Sequence, residues 1–397
     1  MMERETKGGP RQSERGIAML MAIVAVTMLG VIVADFARNA QVNAANTYNV
    51  RDEMRSEYLA RSAVNLSMLL LSVQSVVTRE MKRFHLRPPP LWQFADYFVI
   101  SFNDPSALEL VGSLVGVGME GSEGFGGFDG DMQVTIVDEE SKINLNMAMQ
   151  GPAMQKILAK ELMALFLPTE YDDLFEDQDE QGNTMDRDDV TSALIDWADP
   201  DTNAFGTGGA EDASYEMLKD PYPRKNAAYD TLEEIMMVHG VDDDFWAAFV
   251  DPEPEHPEAR AFTVWGSGKI NVNTADPLVL MAVMCAFSQD PSVMCDPNNM
   301  EQMGEMLRYL MDIKSLMGVP FSNPGKFLRN VGQGAEGLPG MPMNAGAAGQ
   351  HLTVDSQVFS IYALGQVGRS RKRLHVVVDY RGAHAMKGGK VVYWRDN

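Results

Sequence analysis

Residues 16–35 read GIAMLMAIVAVTMLGVIVAD, and the rest of the chain is interpreted outward from this stretch. From Ile17 to Ala34 it carries no charge. As a helix rising 1.5 Å per residue it is about 27 Å long, close to the hydrocarbon thickness of a bilayer. Arg4, Lys7, Arg11 and Arg15 precede it and Asp35 closes it. Basic flanks stay cytoplasmic, so Met1 is expected there and everything beyond Asp35 on the far side. A secretory signal has a shorter apolar region followed by an Ala-x-Ala site. Neither is present, so the segment is expected to persist as a single-pass anchor.

Downstream, no proline interrupts the chain until Pro88-Pro89-Pro90. Leu59, Ala63, Leu66, Leu70, Val73, Val77, Met81 and Phe84 recur at intervals of three and four, which is one apolar stripe on a helix. A helix over 17–87 is on the order of 100 Å long, with its first third in lipid and its last third against a folded domain. That layout is a structural spine.

The full chain has 397 residues, 45% apolar and 22% charged, enough to bury a core in two domains or in one domain with a large insertion. A net charge of −23 argues against nucleic acid as a partner, because phosphate affinity comes chiefly from Lys and Arg. The six histidines, at 85, 239, 256, 351, 375 and 384, form no HExxH, and no GxSxG is present, so nothing selects an enzyme. His375 lies in a β-pattern and reads as packing. Cys285 and Cys295 fit no zinc spacing. They read either as a disulfide closing a short loop or as two buried thiols on a helix and the loop after it.

An internal repeat organises the exported part. Lys142-Ile143-Asn144-Leu145-Asn146-Met147-Ala148 returns as Lys269-Ile270-Asn271-Val272-Asn273-Thr274-Ala275. Each copy follows a strand-like run, MQVTIVD or FTVW, and precedes a helical one. Asn146, Asn273 or Thr274 is expected to cap the helix that follows, and Pro277 suits a first helical turn. The same corner occurs in helix-hairpin-helix DNA-binding modules, but no glycine-rich hairpin follows Phe287 and the charge is wrong. An acid-rich helical stretch separates the copies, the Gly/Met/Pro-rich residues 332–350 are expected to be a mobile loop, and the chain ends in strands. Strands flanking a helical block suggest a sheet domain interrupted by a helical one.

Two acidic clusters have the oxygen donors that Ca²⁺ requires. Asp177, Asp179, Gln181, Gly182, Asn183 and Asp188 fall at positions 1, 3, 5, 6, 7 and 12 of an EF-hand-like loop, although position 12 is Asp rather than Glu. Asp196, Asp199 and Asp201, with Glu211 and Asp212, form the second, anchored to a core by Ile195 and Trp197. Acids held together repel unless a cation joins them; the alternative is an acidic loop left in water. Arg369, Arg371, Lys372 and Arg373 read as an exposed hairpin that would suit an acidic partner surface.

A basic leader ending in Gly16, then an apolar helix opening at Ile17, resembles a type IV pilin or pseudopilin. The resemblance implies that prepilin peptidase cuts between Gly16 and Ile17 and that the new N-terminus is methylated. Most members carry Glu at mature position five, and Met21 stands there in this chain. Minor pseudopilin K of type II secretion typically lacks that glutamate. The stretch Leu194-Ile195-Asp196-Trp197-Ala198-Asp199-Pro200-Asp201, with Gly209-Ala210-Glu211-Asp212 and Pro221-Tyr222, is similar to that family's α-domain signature. The resemblance implies an α+β fold: a pilin-like long N-terminal helix, a small antiparallel sheet and a large inserted, mostly α-helical domain. The divisions expected are a leader (1–16), the spine (17–87), the first part of the pilin-like domain (88–148), the inserted helical domain (149–261), the second repeat with its helices and loop (262–350), and terminal strands (351–397). It implies structural Ca²⁺ in the helical domain and a place in the bacterial inner membrane with the head in the periplasm. The implied partners are other minor pseudopilins in a tip complex, the major pseudopilin, the inner-membrane assembly platform, prepilin peptidase and membrane lipid. The spine stripe is expected to pack against other pseudopilin helices. The alternative is a minor pilin of a type IV pilus, serving adhesion or DNA uptake.

Overall fold

A computed structural model of the chain describes residues 12–83, 90–100, 129–175, 185–201, 203–206, 215–216, 220–292, 294–317, 321–382 and 388–396. Helix α1, Gln12–Lys82, runs 71 residues without a break, which at 1.5 Å per residue is about 107 Å. It continues through Gly16 and stops five residues short of the expected end. The 18-residue window apolar enough to cross a membrane is wholly exposed, as a segment solvated by lipid must be.

The lower part of α1 lies on a four-stranded antiparallel sheet of β1 (Asp131–Asp138), β6 (Val358–Val367), β7 (Ser370–Asp379) and β8 (Lys390–Asp396), in that spatial order. The face it buries is Ser56, Leu59, Ala60, Ala63, Val64, Ser67, Leu70 and Leu71. The expected stripe is therefore correct as far as Leu70, but Val73 is 44% exposed. From Leu59 to Leu70 the stripe lies on the chain's own sheet, as expected for the last third of the helix, so these residues are not free to meet the helices of other subunits. Alternating residues of β1, β6 and β7 (Met132, Val134, Ile136; Phe359, Ile361, Ala363; Leu374, Val376, Val378) complete this core, which α2 (Ala95–Ile100) and Trp92 close on one side. At Gly365 of β6 a Cβ would sit 2.6 Å from Ala60 N and nearer still to Ser56 O, so only glycine admits the helix this close.

Between β1 and β6 the chain leaves the sheet and builds a helical head with its own core, continuous from Ile143 to Leu352. The boundary expected at 261 does not divide it. Helix α3 (Pro152–Leu165) follows the first repeat copy and packs on α5 (Pro277–Phe287), which follows the second. Helices α4 (Arg187–Ala198), α6 (Met300–Met317), α7 (Pro324–Gln333) and α8 (Ala345–His351) fill the remainder.

The repeat is a structural one. In the first copy β2 (Ile143–Asn144) pairs in parallel with β3 (Phe262–Thr263); in the second, β4 (Ile270–Asn271) pairs in parallel with β5 (Leu352–Thr353). The capping residues differ from the expected ones. Asp276 caps α5, accepting from Leu278 N at 2.9 Å, and Gly151 stands before α3, while Asn144 and Asn271 turn onto their own backbone, accepting from Asn146 N at 2.9 Å and Asn273 N at 3.0 Å. Asn146 and Asn273 instead clasp distant backbone. Asn146 donates to Tyr229 O and Val264 O and accepts from Tyr229 N; Asn273 donates to Phe321 O and Val354 O and accepts from Phe321 N. Each second asparagine supplies an amide edge where a strand would otherwise have to run.

Residues 332–350 are not a mobile loop. Met341 and Ala348 are fully buried, Gly334 takes φ +67°, and Ala335 and Leu338 exchange backbone hydrogen bonds. The chain then runs beside residues 287–289, with Gln289 N donating to Pro342 O and Asn344 N to Phe287 O. Cys285 and Cys295 are joined, their Cα atoms 5.6 Å apart, which ties the end of α5 to the loop bearing that contact.

Candidate functional site

The acidic corner sits at the end of α4. Asp186 caps this helix in a reciprocal box with Asp189, and Asp199 ends it. Nine consecutive residues, Val190 to Ala198, are buried, because α4 crosses the centre of the head. Asp196 and Asp199 are each only 1% exposed. Asp196 Oδ1 accepts from Phe205 N at 2.8 Å and Asp199 Oδ2 from Gln155 Nε2 at 3.3 Å. Buried Arg224 donates to the backbone oxygens of Asp196 and Asp201, bringing a positive charge beside the two carboxylates. Trp197 anchors the turn against Tyr215 and Tyr222, as its apolar ring predicts.

Asp201 is exposed and turned into its own loop, accepting from both nitrogens of Asn203. Glu211 and Asp212 lie outside the described residues. Among the described residues no three acidic, histidine or cysteine side chains gather around a common point, so Asp196, Asp199 and Asp201 do not make a shell by themselves. The donor chemistry fits a hard cation, all oxygen and two of the carboxylates already out of water. Of the EF-hand-like set, Asp177, Asp179, Gln181 and Asn183 lie outside the described residues, and Asp188 is exposed in the first turn of α4. Gly16 and Ile17 lie exposed on α1, with nothing within 4 Å of the position a Cβ on Gly16 would take.

The basic run is partly paired. Lys372 faces Glu53 and Asp396, Arg373 faces Glu255, and Arg371 bonds the neutral amide of Gln366. Two of the four charges thus meet carboxylates within the chain. His375 stacks on Tyr362 at 4.2 Å, with Trp265 and Tyr393 against its edges, and burial pushes it down to about 4.

A polar cluster that the sequence reading passed over joins the two cores. Where β1 leaves the sheet, Asp138, Glu139, Glu140 and Lys142 are all buried. Asp138 accepts from Thr274, Ser356 and Asn271, binding the end of β1 to the second repeat and to the chain entering β6. Glu139 accepts from Thr263 and Ser360 and lies 3.6 Å from Lys142 Nζ. Burial pushes Glu139 upward, but Lys142 and the two hydroxyls outweigh it and hold the carboxyl below its ordinary value. Lys142 also donates to Pro257 O, and burial lowers it against the pull of Glu139. Glu140 accepts from Gln357 N and Ser267. Four charges among five residues, DEESK, look like a solvated turn in sequence; the only warning was their position against a buried strand and the repeat.

Residues 141–250 match the family model described as type II secretion system (T2SS), protein K. Among solved structures, the chain is similar to one in the crystal structure of the GspK-GspI-GspJ complex from the enterotoxigenic Escherichia coli type 2 secretion system. That likeness has a TM-score of 0.52 at 15% identity, over 89% of this chain and 99% of that one. No curated protein matches the sequence.

Proposed function

We propose that this chain, a type II secretion protein K family member through residues 141–250, acts as a minor pseudopilin at the pseudopilus tip. The observation that carries the proposal is the union of three parts in one chain: a continuous helix with an exposed apolar end, a small sheet on its lower part, and a helical head inserted between adjacent strands. The apolar end is a single-pass anchor that keeps the subunit in the inner membrane until assembly, with the head in the periplasm. A head this wide cannot lie inside a fibre of packed helices, so the subunit ends the fibre. Its role is assembly, in company with sibling minor pseudopilins, the major pseudopilin and the inner-membrane platform, and the fibre it starts drives folded proteins outward. Prepilin peptidase acts first, between Gly16 and Ile17.

The head holds Ca²⁺ through Asp196, Asp199 and Asp201 with Glu211 and Asp212. Two carboxylates buried three residues apart support that reading, because they set oxygen donors out of water where a cation would add to the charge that Arg224 already brings.

The test is capture of the tagged chain from membranes that also express the sibling minor pseudopilins. Recovery of a complex, with a mature chain whose mass begins at Ile17, is expected. A cell that secretes normally without this chain, or a chain that stays uncut in the presence of active peptidase, would overturn the proposal. For the cation, chelation is expected to lower the melting temperature of the wild type and not of an Asp196→Asn, Asp199→Asn variant.

A further inference from the structure

The DEESK segment carries more acid than its surroundings neutralise. Asp138, Glu139 and Glu140 are 2%, 1% and 5% exposed, and Lys142 is the base within their own turn. Two guanidinium groups approach from neighbouring elements, and each is already engaged. Arg260 bonds Asp251 at 2.9 Å and the Tyr362 hydroxyl at 2.9 Å. Arg381 grips Asp379 through two nitrogens at 2.7 and 3.0 Å. From β7, His375 faces Glu139, and Glu258 lines the same cavity as Asp138. Six carboxylates thus face one ammonium and two guanidinium groups across this joint, with His256 paired to Glu258 at its rim.

Each of the two carboxylates not bonded to a base closes a different seam. Asp138 ties the end of β1 to Asn271 and Thr274 of the second repeat and to Ser356. Glu140 ties the same turn to Ser267 and to the backbone of Gln357. A cavity of about 320 Å³, lined by Asp138, Ser141, Thr274 and Glu258 among others, reaches the first of these groups and gives water a route to it.

We propose that this joint is a proton-controlled clasp, which holds the head to the sheet while Asp138 and Glu140 retain a proton between them and loosens when both are ionised. A neutral carboxyl can keep both seams closed by donating through one oxygen to a hydroxyl, Ser356 or Thr274 at Asp138 and Ser267 at Glu140, and accepting on the other, without adding charge to a site that already has a surplus. Burial raises Asp138 to about 6. Burial, and then the charge of Asp138, raises Glu140 to about 7. Both folded values lie above the unfolded ones, so the closed joint is favoured in mild acid and loses that advantage as pH climbs through 6 and 7. Taken together, the two groups change the opening equilibrium on the order of a hundredfold between pH 5.5 and 7.5, about twentyfold of it from Glu140. The clasp does not depend on the chain's role in secretion, only on its fold.

Amide hydrogen exchange of the full chain in detergent micelles, corrected for the intrinsic effect of pH, tests it. Residues 138–144, 267–274 and 356–358 are expected to lose about two orders of magnitude of protection between pH 5.5 and 7.5, while α5 is unchanged. Asp138→Asn with Glu140→Gln, neutral at both pH values, is expected to abolish the difference. Should that variant fail to fold, Glu140→Gln alone is expected to leave a change of only a few fold. The proposal is overturned if the joint is insensitive to pH, if α5 opens equally, or if the variants keep the full wild-type response.

Discussion

Replacing Gly365 with alanine tests the tightest fit for an added Cβ among the described glycines. The new Cβ would stand 2.6 Å from Ala60 N and nearer still to Ser56 O, whereas real Cβ atoms stay beyond 3.0 Å. Both neighbours are backbone of a continuous helix, so no side chain can swing aside. The helix and β6 must separate by roughly 0.5–1 Å along a face that buries Leu59, Ala60, Ala63, Val64, Leu70 and Leu71. Complete detachment would forfeit about 1.5–3 kcal/mol for each large side chain, so the protein is expected to distort locally instead. Distortion costs about 1–3 kcal/mol for alanine, and more for valine. Urea unfolding followed by Trp92, which packs edge-on against Phe359 at 5.4 Å in this core, reads the loss directly. Gly304 in α6 is the control: nothing lies within 4 Å of its added Cβ, so alanine there should be neutral or stabilise by up to ~1 kcal/mol. A Gly365→Ala protein as stable as wild type would refute the reasoning.

Lys142→Met leaves Glu139 buried without its ammonium, and urea unfolding should show a loss of about 3–5 kcal/mol. Serine at Cys285 removes the link to Cys295; the melting temperature should fall by the equivalent of ~2–3 kcal/mol, as it should for wild type under reductant. Burial lowers Lys314 to about 8, against the partial opposing pull of Asp276. Its folded value lies below the unfolded one, so the head should gain stability as pH rises from 8 towards 10. Lys314→Met should flatten that rise in a series of pH-dependent melts.

How much of this was legible beforehand depended on whether a property belonged to a period or to a partner. The anchor, the spine and the sheet-interrupted-by-helices layout follow from uncharged length, from helical spacing and from the order of strands, all local quantities. Which residues the spine buries was readable only to Leu70, because the sheet that covers the helix comes from strands about 300 residues later and its extent is not written in α1. The repeat was visible as letters, but the division of labour between its asparagines was not: Asn144 and Asn271 turn to their own backbone, while Asn146 and Asn273 reach segments at 229 and 321. Residues 332–350 carry glycine and proline because they thread tightly past 287–289, not because they move. The acids of the corner were visible as letters, with Trp197 marking buried surroundings, but not that Asp201 turns into its own loop away from Asp196 and Asp199. The buried DEESK joint was missed because a charge reads as solvated until the elements around it are assembled.

Strands β1 and β6 are neighbours in space, Asp138 beside Phe359, yet some 220 residues of polypeptide are made between them. Bringing ends so far apart together costs an unstructured chain only about 3 kcal/mol more than a ten-residue hairpin, but it slows the encounter. A head already collapsed on its own core shortens that search by delivering both strands to one place. Pairing of β1 with β6, unlike the local hairpin of β6 and β7, is therefore the part of the platform most exposed to a failure of the head. A subunit whose head has misfolded would present a bare rod, recognisable to any protease or assembly factor that samples the helix between residues 56 and 71.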